Sequence, residues 1–196
     1  MEISKDLIQK LREQTGAGIM DVKNAVQEAN GDEEKVLELL RKRGQKIAAK
    51  KQAEREAKEG IIEAYVHGNN KTATLVQLTC ETDFVAKNEE FKGLAHDIAM
   101  QVAAMDPQYL SPDKVPADIL EKEKEIIKEQ LKNENKPEDM LDKIVEGKLN
   151  KFYEENCLLN QKFIKDDKVT INDLITEKIA KLGEKIEIRK IARISF

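Results

Sequence analysis

The sequence predicts an α+β protein in which helices surround one small antiparallel sheet. Apolar residues recur at helical spacing over most of the chain, and the spacing changes to strict alternation in two stretches. The chain has no Trp and only 4% aromatic residues, so its core must be mostly aliphatic. With 196 residues it can form one ordinary domain, or a very small domain followed by a larger one.

Residues 1–45 predict a three-helix unit. Apolar residues share one helical face before and after the segment Thr15–Gly18, which interrupts the period. Asn30–Gly31 ends the second helix, and Asp32 is a good N-cap for a third helix that is predicted to end at Gly44. Because such a small unit has a thin core, we expect it either to pack against neighbouring elements or to serve as a docking module.

Residues 46–59 predict a solvated linker helix, since they are rich in Ala, Lys and Glu and poor in large apolar side chains. A period of two then begins, and a turn at Gly68–Lys71 leads into a second strand over Leu75–Cys80. The alternating residues of the first strand are Ile62, Ala64 and Val66 against Glu63, Tyr65 and His67. This stretch therefore predicts a β-hairpin.

After the hairpin, Asn88 is a plausible N-cap for an amphipathic helix whose apolar face should cover the strands. Residues 117–156 predict two helices that form an antiparallel, protruding helical hairpin of coiled-coil type. Its turn is predicted at Asn133–Lys136, and Pro137 suits the first position of the second helix. This hairpin is predicted to be inserted in the core domain.

The rest of the chain completes an α+β core domain that is predicted to span 60–116 and 157–196. Thr170 begins another helical pattern, which Gly183 ends. The last residues, from Ile186 to Phe196, alternate apolar with charged side chains and predict a third, half-buried strand.

Charge and composition limit the classes of partner. The formal net charge is -4, which argues against a general nucleic-acid binder and favours a protein partner. The start of the chain lacks an apolar signal core, and no apolar run reaches about 18 residues, so we expect a cytoplasmic protein that does not contact a membrane. The two cysteines, Cys80 and Cys157, are expected to be buried thiols and not metal ligands.

Catalysis has little support in this sequence, which has two histidines, His67 and His96. Cys80 served by His96 is a conceivable nucleophile, but Cys80 falls in the buried phase of a strand and no third group completes the arrangement. No phosphate-binding or dinucleotide-binding glycine motif is present. We therefore expect neither an enzyme nor a cofactor.

Two apolar features have alternative interpretations. Phe84 and Val85 stand in the connection between a strand and a helix, where polar turn residues are usual. They could pack into the core, which is the commoner arrangement, or remain exposed for a partner. Ile19 and Met20, at the start of the second helix, could likewise be core residues or an exposed docking edge.

Two segments resemble the signatures of bacterial elongation factor Ts. The first is Leu11–Ala25, LREQTGAGIMDVKNA, followed by Glu28–Asp32, EANGD; the second is Cys80–Asn88, CETDFVAKN. They occur in the order and spacing of that family, and weaker similarity extends to the final strand. The chain resembles a short form of the family with a single sheet subdomain.

The resemblance implies that the chain is a guanine nucleotide exchange factor of translation elongation. Its partner would be the GTPase elongation factor Tu, in the GDP-bound and nucleotide-free forms. The segment made of Thr82, Asp83, Phe84 and Val85 would displace the Mg²⁺ of that partner. An N-terminal contact is expected from Arg12, Ile19, Met20 and Lys23.

Two further interpretations remain open at the level of sequence. The first 45 residues also resemble an adaptor module of the ubiquitin-associated type, which would bind a partner without accelerating nucleotide release. In addition, a single sheet subdomain leaves open a homodimer that completes the surface for the partner.

Overall fold

The computed structural model describes residues 5–133 and 138–196, without the side chains of 132, 133 and 138–142. This part of the chain contains helices and strands in the α+β arrangement, which confirms the predicted fold class. The helices are α1 (Lys5–Thr15), α2 (Ile19–Glu28), α3 (Glu33–Glu54), α4 (Asp83–Ala86), α5 (Glu89–Met105), α6 (Ala117–Asn133), α7 (Glu138–Asn156) and α8 (Ile171–Leu182). The strands are β1 (Glu59–Val66), β2 (Thr72–Cys80), β3 (Lys162–Phe163), β4 (Asp166–Thr170) and β5 (Glu187–Ser195).

The strands form a three-stranded antiparallel sheet in the order β1-β2-β5 and an antiparallel β3-β4 pair. The sheet has the three strands that the sequence predicts, with β2 in the centre. The β3-β4 pair was not predicted. No helix within residues 5–133 and 138–196 is long and apolar enough to cross a membrane.

Helices α1, α2 and α3 pack around one aliphatic core, as predicted for a three-helix unit. The buried members of this core come from all three helices and the α2–α3 turn: Leu11, Val22, Ala25, Val26, Ala29, Val36 and Leu40. The Asp32 side chain caps α3 by accepting a hydrogen bond from Lys35 N at 3.3 Å. The predicted cap is therefore confirmed.

The predicted end of the third helix at Gly44 is wrong, because α3 continues without a break to Glu54. A glycine inside a helix costs only about 1 kcal/mol relative to alanine, and the good helix formers that follow it offset that cost. A Cβ atom on Gly44 would lie 3.4 Å from the Cβ of Ala180 in α8. Gly44 thus permits close packing of two helices and does not terminate one.

The chain divides into two compact units. One contains the chain up to Glu63 together with Gln77–His96 and Asp173–Arg189. The other contains Ala64–Val76, Asp97–Asn172 and Lys190–Phe196. The first unit holds the three-helix core, α4 and α8, and the second holds the helical hairpin and the β3-β4 pair.

In the second unit, α6 packs beside α7 as the predicted hairpin, with Lys148 Nζ donating to Gln130 Oε1 at 2.9 Å. The predicted turn residues after Asn133 and the predicted helix start at Pro137 lie outside the described residues.

The predicted end of α8 at Gly183, in the first unit, is confirmed, since Gly183 has φ +79° and its N–H donates to Ile179 O at 3.0 Å.

One face of the sheet in the second unit is covered by α5. Thr74 and Val76 are buried on this face, and Thr74 Oγ1 donates to Ala99 O of α5 at 2.9 Å. The strand residues of opposite phase are apolar but exposed. We call Val66, Leu75, Ile194 and Phe196 the open sheet face; they are 60%, 48%, 75% and 106% exposed.

Candidate functional site

The segment Thr82–Val85 lies at the start of α4, a single helical turn between β2 and α5. Thr82 is the N-cap of this turn, and its Oγ1 accepts a hydrogen bond from Val85 N at 3.4 Å. Asn88 then opens α5, since its Oδ1 accepts from Glu90 N at 2.7 Å, which agrees with the predicted cap. Two successive caps therefore give the strand-to-helix connection a defined backbone.

Phe84 projects from this turn with 83% of its surface exposed. Val85 is half-buried and Ala86 is buried, so the turn is anchored by the two residues that follow the ring. The interpretation of Phe84 as a core residue is therefore wrong. Transfer of a phenylalanine side chain from water into an apolar pocket is worth about 1.5–3 kcal/mol, which is available to a partner that offers such a pocket.

Asp83 is also exposed, and it forms an ion pair within the same turn. Its Oδ2 lies 2.7 Å from Nζ of Lys87, one helical turn away. The hydrogen bond and the charge of Lys87 hold the pKa of the Asp83 carboxyl below its usual value. At neutral pH the turn therefore presents a carboxylate next to an exposed aromatic ring.

Glu184, just after the end of α8, contacts the N-terminal side of this turn. Its Oε2 accepts hydrogen bonds from Glu81 N and Thr82 N, both at 3.0 Å. Its Oε1 accepts a third from Thr82 Oγ1 at 2.6 Å. Sequence reasoning missed this residue, because it is 102 positions from Thr82 and belongs to no motif that points to the turn.

Glu81 connects the same region to α3. The guanidinium of Arg55 lies 3.1 Å and 3.0 Å from the two Glu81 carboxylate oxygens, and Lys185 N donates to Oε1 at 2.6 Å. Burial raises the pKa of Glu81, but the hydrogen bonds from Lys185 N and Arg55 outweigh burial and leave that pKa lowered. The residue before the exposed turn is thus fixed as a carboxylate.

The predicted N-terminal contact residues lie on the surface of α1 and α2. Ile19 and Met20 are 53% and 62% exposed, and Arg12 and Lys23 are exposed as well. The interpretation of Ile19 and Met20 as core residues is therefore wrong. Arg12 and Ile19 line the same open groove, together with Lys181 of α8.

The alternative nucleophile, Cys80, is fully buried and its Sγ donates to Thr82 O at 3.1 Å. Burial, followed by the negative charge of Glu184, raises the pKa of Cys80 to about 11. A thiol with this pKa is almost entirely protonated at neutral pH and is a poor nucleophile. His96, which the sequence offers as the base for Cys80, has its Nδ1 atom 3.0 Å from Glu63 Oε1. Cys157 is likewise a buried free thiol.

Comparison with known proteins gives a consistent result over the whole chain. Residues 1–178 match a family model described as Elongation factor TS. A protein of Fervidobacterium nodosum named Elongation factor Ts is 55% identical over 100% of this chain and 99% of its own length. Proteins of the same name from Thermotoga maritima and Carboxydothermus hydrogenoformans are 56% and 53% identical, over 98% and 99% of this chain and 96% and 89% of their own lengths.

Proposed function

The chain belongs to the elongation factor Ts family, and on this basis we propose that it is a guanine nucleotide exchange factor for elongation factor Tu. It binds the GDP-bound GTPase in the cytoplasm, promotes release of GDP and thereby allows GTP to bind. The observation that carries this proposal is the exposed Phe84 ring on a capped helical turn.

Tight nucleotide binding by a GTPase depends on a Mg²⁺ ion that bridges phosphate oxygens and on backbone donors around the phosphates. The segment Thr82–Val85 acts as a wedge that disturbs this environment. Phe84 inserts between side chains of the GTPase, and Asp83 forms hydrogen bonds with groups beside it. Because the ring is exposed in the free protein, insertion requires no unfolding of the core.

The wedge alone does not supply the affinity. A factor shifts the nucleotide equilibrium only if it binds the nucleotide-free GTPase more tightly than the GDP form. By reciprocity, nucleotide weakens binding of the factor in the same ratio. The exposed N-terminal residues Arg12, Ile19, Met20 and Lys23 provide a second contact that holds the factor on the GTPase while the wedge acts.

This mechanism makes and breaks no bond in the nucleotide. The chain contributes shape and hydrogen bonds, and the Mg²⁺ belongs to the partner. The raised pKa of the Cys80 thiol agrees with a mechanism that needs no nucleophile.

We further propose that two copies of the chain associate through the open sheet face. The exposed side of an antiparallel sheet usually carries polar residues, whereas Val66, Leu75, Ile194 and Phe196 are all apolar and exposed here. Two such faces can stack about 10 Å apart as the layers of a β-sandwich. A two-fold arrangement places the same residues on both sides, so the contact is self-complementary.

Stopped-flow fluorescence with labelled GDP bound to elongation factor Tu tests the main proposal. Addition of the chain should accelerate GDP release in a concentration-dependent and saturable way. Excess unlabelled GDP should dissociate the chain from elongation factor Tu. Binding without acceleration of release would instead favour an adaptor role for the three-helix unit. Absence of both binding and acceleration would refute the proposal outright.

A further inference from the structure

Glu184 is placed to hold the exposed turn in one orientation. Its carboxylate accepts hydrogen bonds from the backbone N–H groups of Glu81 and Thr82 and from the hydroxyl of Thr82. We propose that Glu184 is a positioning residue, which orders the Phe84 turn before it meets a partner and so sets the efficiency of nucleotide release. This inference rests on the proposed exchange function.

The two backbone donors lie where β2 ends and α4 begins. N–H groups at such a junction have left the strand ladder and precede the helical hydrogen bonds, so they need another acceptor. A carboxylate is well suited to this role, because hydrogen bonds to an ionised acceptor are about twice as strong as neutral ones. Glu184 satisfies both donors with one oxygen at 3.0 Å.

The hydroxyl of Thr82 transmits the effect of Glu184 into α4. Since Thr82 Oγ1 donates its only proton to Glu184 at 2.6 Å, its lone pairs are available to accept from Val85 N. The carboxylate thus fixes the orientation of the hydroxyl that caps the turn. Phe84 is the second residue of this turn, so its direction depends on the cap.

Glu184 is itself held by a rigid surrounding. Lys51 Nζ of α3 donates to Gly183 O, and Gln52 Nε2 donates to Ile186 O at 2.7 Å. Lys185 Nζ donates back to Gln52 O at 3.0 Å. The residues on both sides of Glu184 are therefore hydrogen-bonded to the C-terminal part of α3. These bonds limit the positions that the Glu184 carboxylate can take relative to the turn.

Such order matters for a wedge more than for an ordinary contact. A turn that is disordered in the free protein must lose conformational entropy on binding, and that cost reduces the binding energy available to displace the nucleotide. A turn ordered in advance avoids this cost. Loss of Glu184 should therefore lower the maximal rate of release and leave the contact of the N-terminal unit intact.

The experiment compares Glu184→Ala and Glu184→Gln with Glu177→Ala, which removes an exposed glutamate from α8 two turns before Glu184. At saturating factor, Glu184→Ala should lower the rate of GDP release about tenfold to a hundredfold, since three hydrogen bonds to a charged group are lost. The concentration at half-saturation should change much less. Glu184→Gln should restore part of the rate, because its carbonyl oxygen can still accept the two N–H groups, and Glu177→Ala should behave as wild type.

Two readouts separate positioning from a general loss of structure. In the Phe84→Ala background, Glu184→Ala should cause no further loss of rate, because Glu184 acts through the wedge. Hydrogen exchange in the free protein should accelerate at the amides of 82–86 and stay unchanged in α8. Equal losses in both backgrounds, or unchanged exchange at 82–86, would overturn the positioning role. If the wild-type protein leaves GDP release unchanged, the proposed function fails, whereas hydrogen exchange at 82–86 in the free protein still tests whether Glu184 orders the turn.

Discussion

The backbone of Gly16 lies directly against the side chain of Lys181: a Cβ atom on Gly16 would be 2.6 Å from Lys181 Cγ and 3.2 Å from its Cβ. Gly16 also has φ +66°, in the left-handed region that favours glycine. The amino group of the same lysine lies 2.6 Å from Glu90 Oε1, in the first turn of α5. Lys181 therefore contacts the α1–α2 turn with its stem and the helix after the exposed turn with its charge.

We expect Gly16→Ala to lower the free energy of unfolding by about 1–3 kcal/mol, because alanine adds both backbone strain and a clash with the lysine stem. Gly93→Ala is the matched control. Gly93 lies inside α5, where an added Cβ atom would meet nothing within 4 Å beyond its own helix, so alanine there should stabilise the protein by about 0.5–1 kcal/mol. Urea unfolding measures both effects, and effects of the same sign would contradict this account.

The ion pairs of Glu90 should make stability depend on pH. The hydrogen bond from Lys181 lowers the pKa of Glu90, burial opposes it, and Lys178 adds to the lowering. A carboxyl whose pKa is lower in the folded than in the unfolded state stabilises the fold at neutral pH, and this contribution is lost as pH falls through the folded pKa. Urea unfolding between about pH 6 and pH 3 should therefore show a steeper loss in wild type than in Glu90→Gln. Parallel curves would contradict the expectation.

Both cysteines should be unreactive in the folded protein. Burial raises the pKa of Cys80 and of Cys157, so little thiolate is present at pH 7–8 to attack a disulfide reagent. Labelling with such a reagent should be slow before unfolding and should reach both thiols after it. Cys80→Ser should retain GDP release, since serine can still donate to Thr82 O. Fast labelling of one thiol in the folded protein, or loss of GDP release in Cys80→Ser, would revive the enzyme hypothesis.

A single positive charge introduced on the open sheet face should prevent self-association. Light scattering should give a wild-type mass of twice 22.3 kDa, and Ile194→Lys should reduce it to 22.3 kDa, because a dimer would bury two uncompensated ammonium groups. Ile126→Lys is the control, since Ile126 is 49% exposed, lies on α6 and is not one of the residues of the open sheet face. A wild-type mass of 22.3 kDa at all concentrations, or equal effects of the two variants, would refute the dimer.

Much of the fold could be predicted from local patterns. The amphipathic helices, the N-cap Asp32 and the stop at Gly183 depend on neighbouring residues, and all three predictions are confirmed. The sequence does not show whether Gly44 ends a helix or allows another helix to approach, because this depends on the continuation of α3 to Glu54 and on the tertiary contact with Ala180. The strands β3 and β4 are too short and too polar to show a clear alternation.

The candidate site was predictable in part. The composition of the turn indicated that Phe84 was unusual, but composition could not decide between burial and exposure, which depends on tertiary packing. Glu184 carries no local signal at all, because its role arises from contacts with Glu81 and Thr82 more than 100 residues earlier. Residues that support a site from a distant part of the chain are therefore the ones that sequence patterns miss.

The most direct measurement is GDP release from elongation factor Tu with Phe84→Ala at saturating factor. Phe84 is 83% exposed, so its truncation should leave the stability of the free protein unchanged. If the ring is the wedge, the maximal rate should fall about tenfold to a hundredfold, in line with the free energy of burying a phenylalanine in a partner. Ile126→Ala, which truncates another exposed apolar residue, should leave the rate unchanged. A Phe84→Ala rate equal to that of wild type would contradict the mechanism.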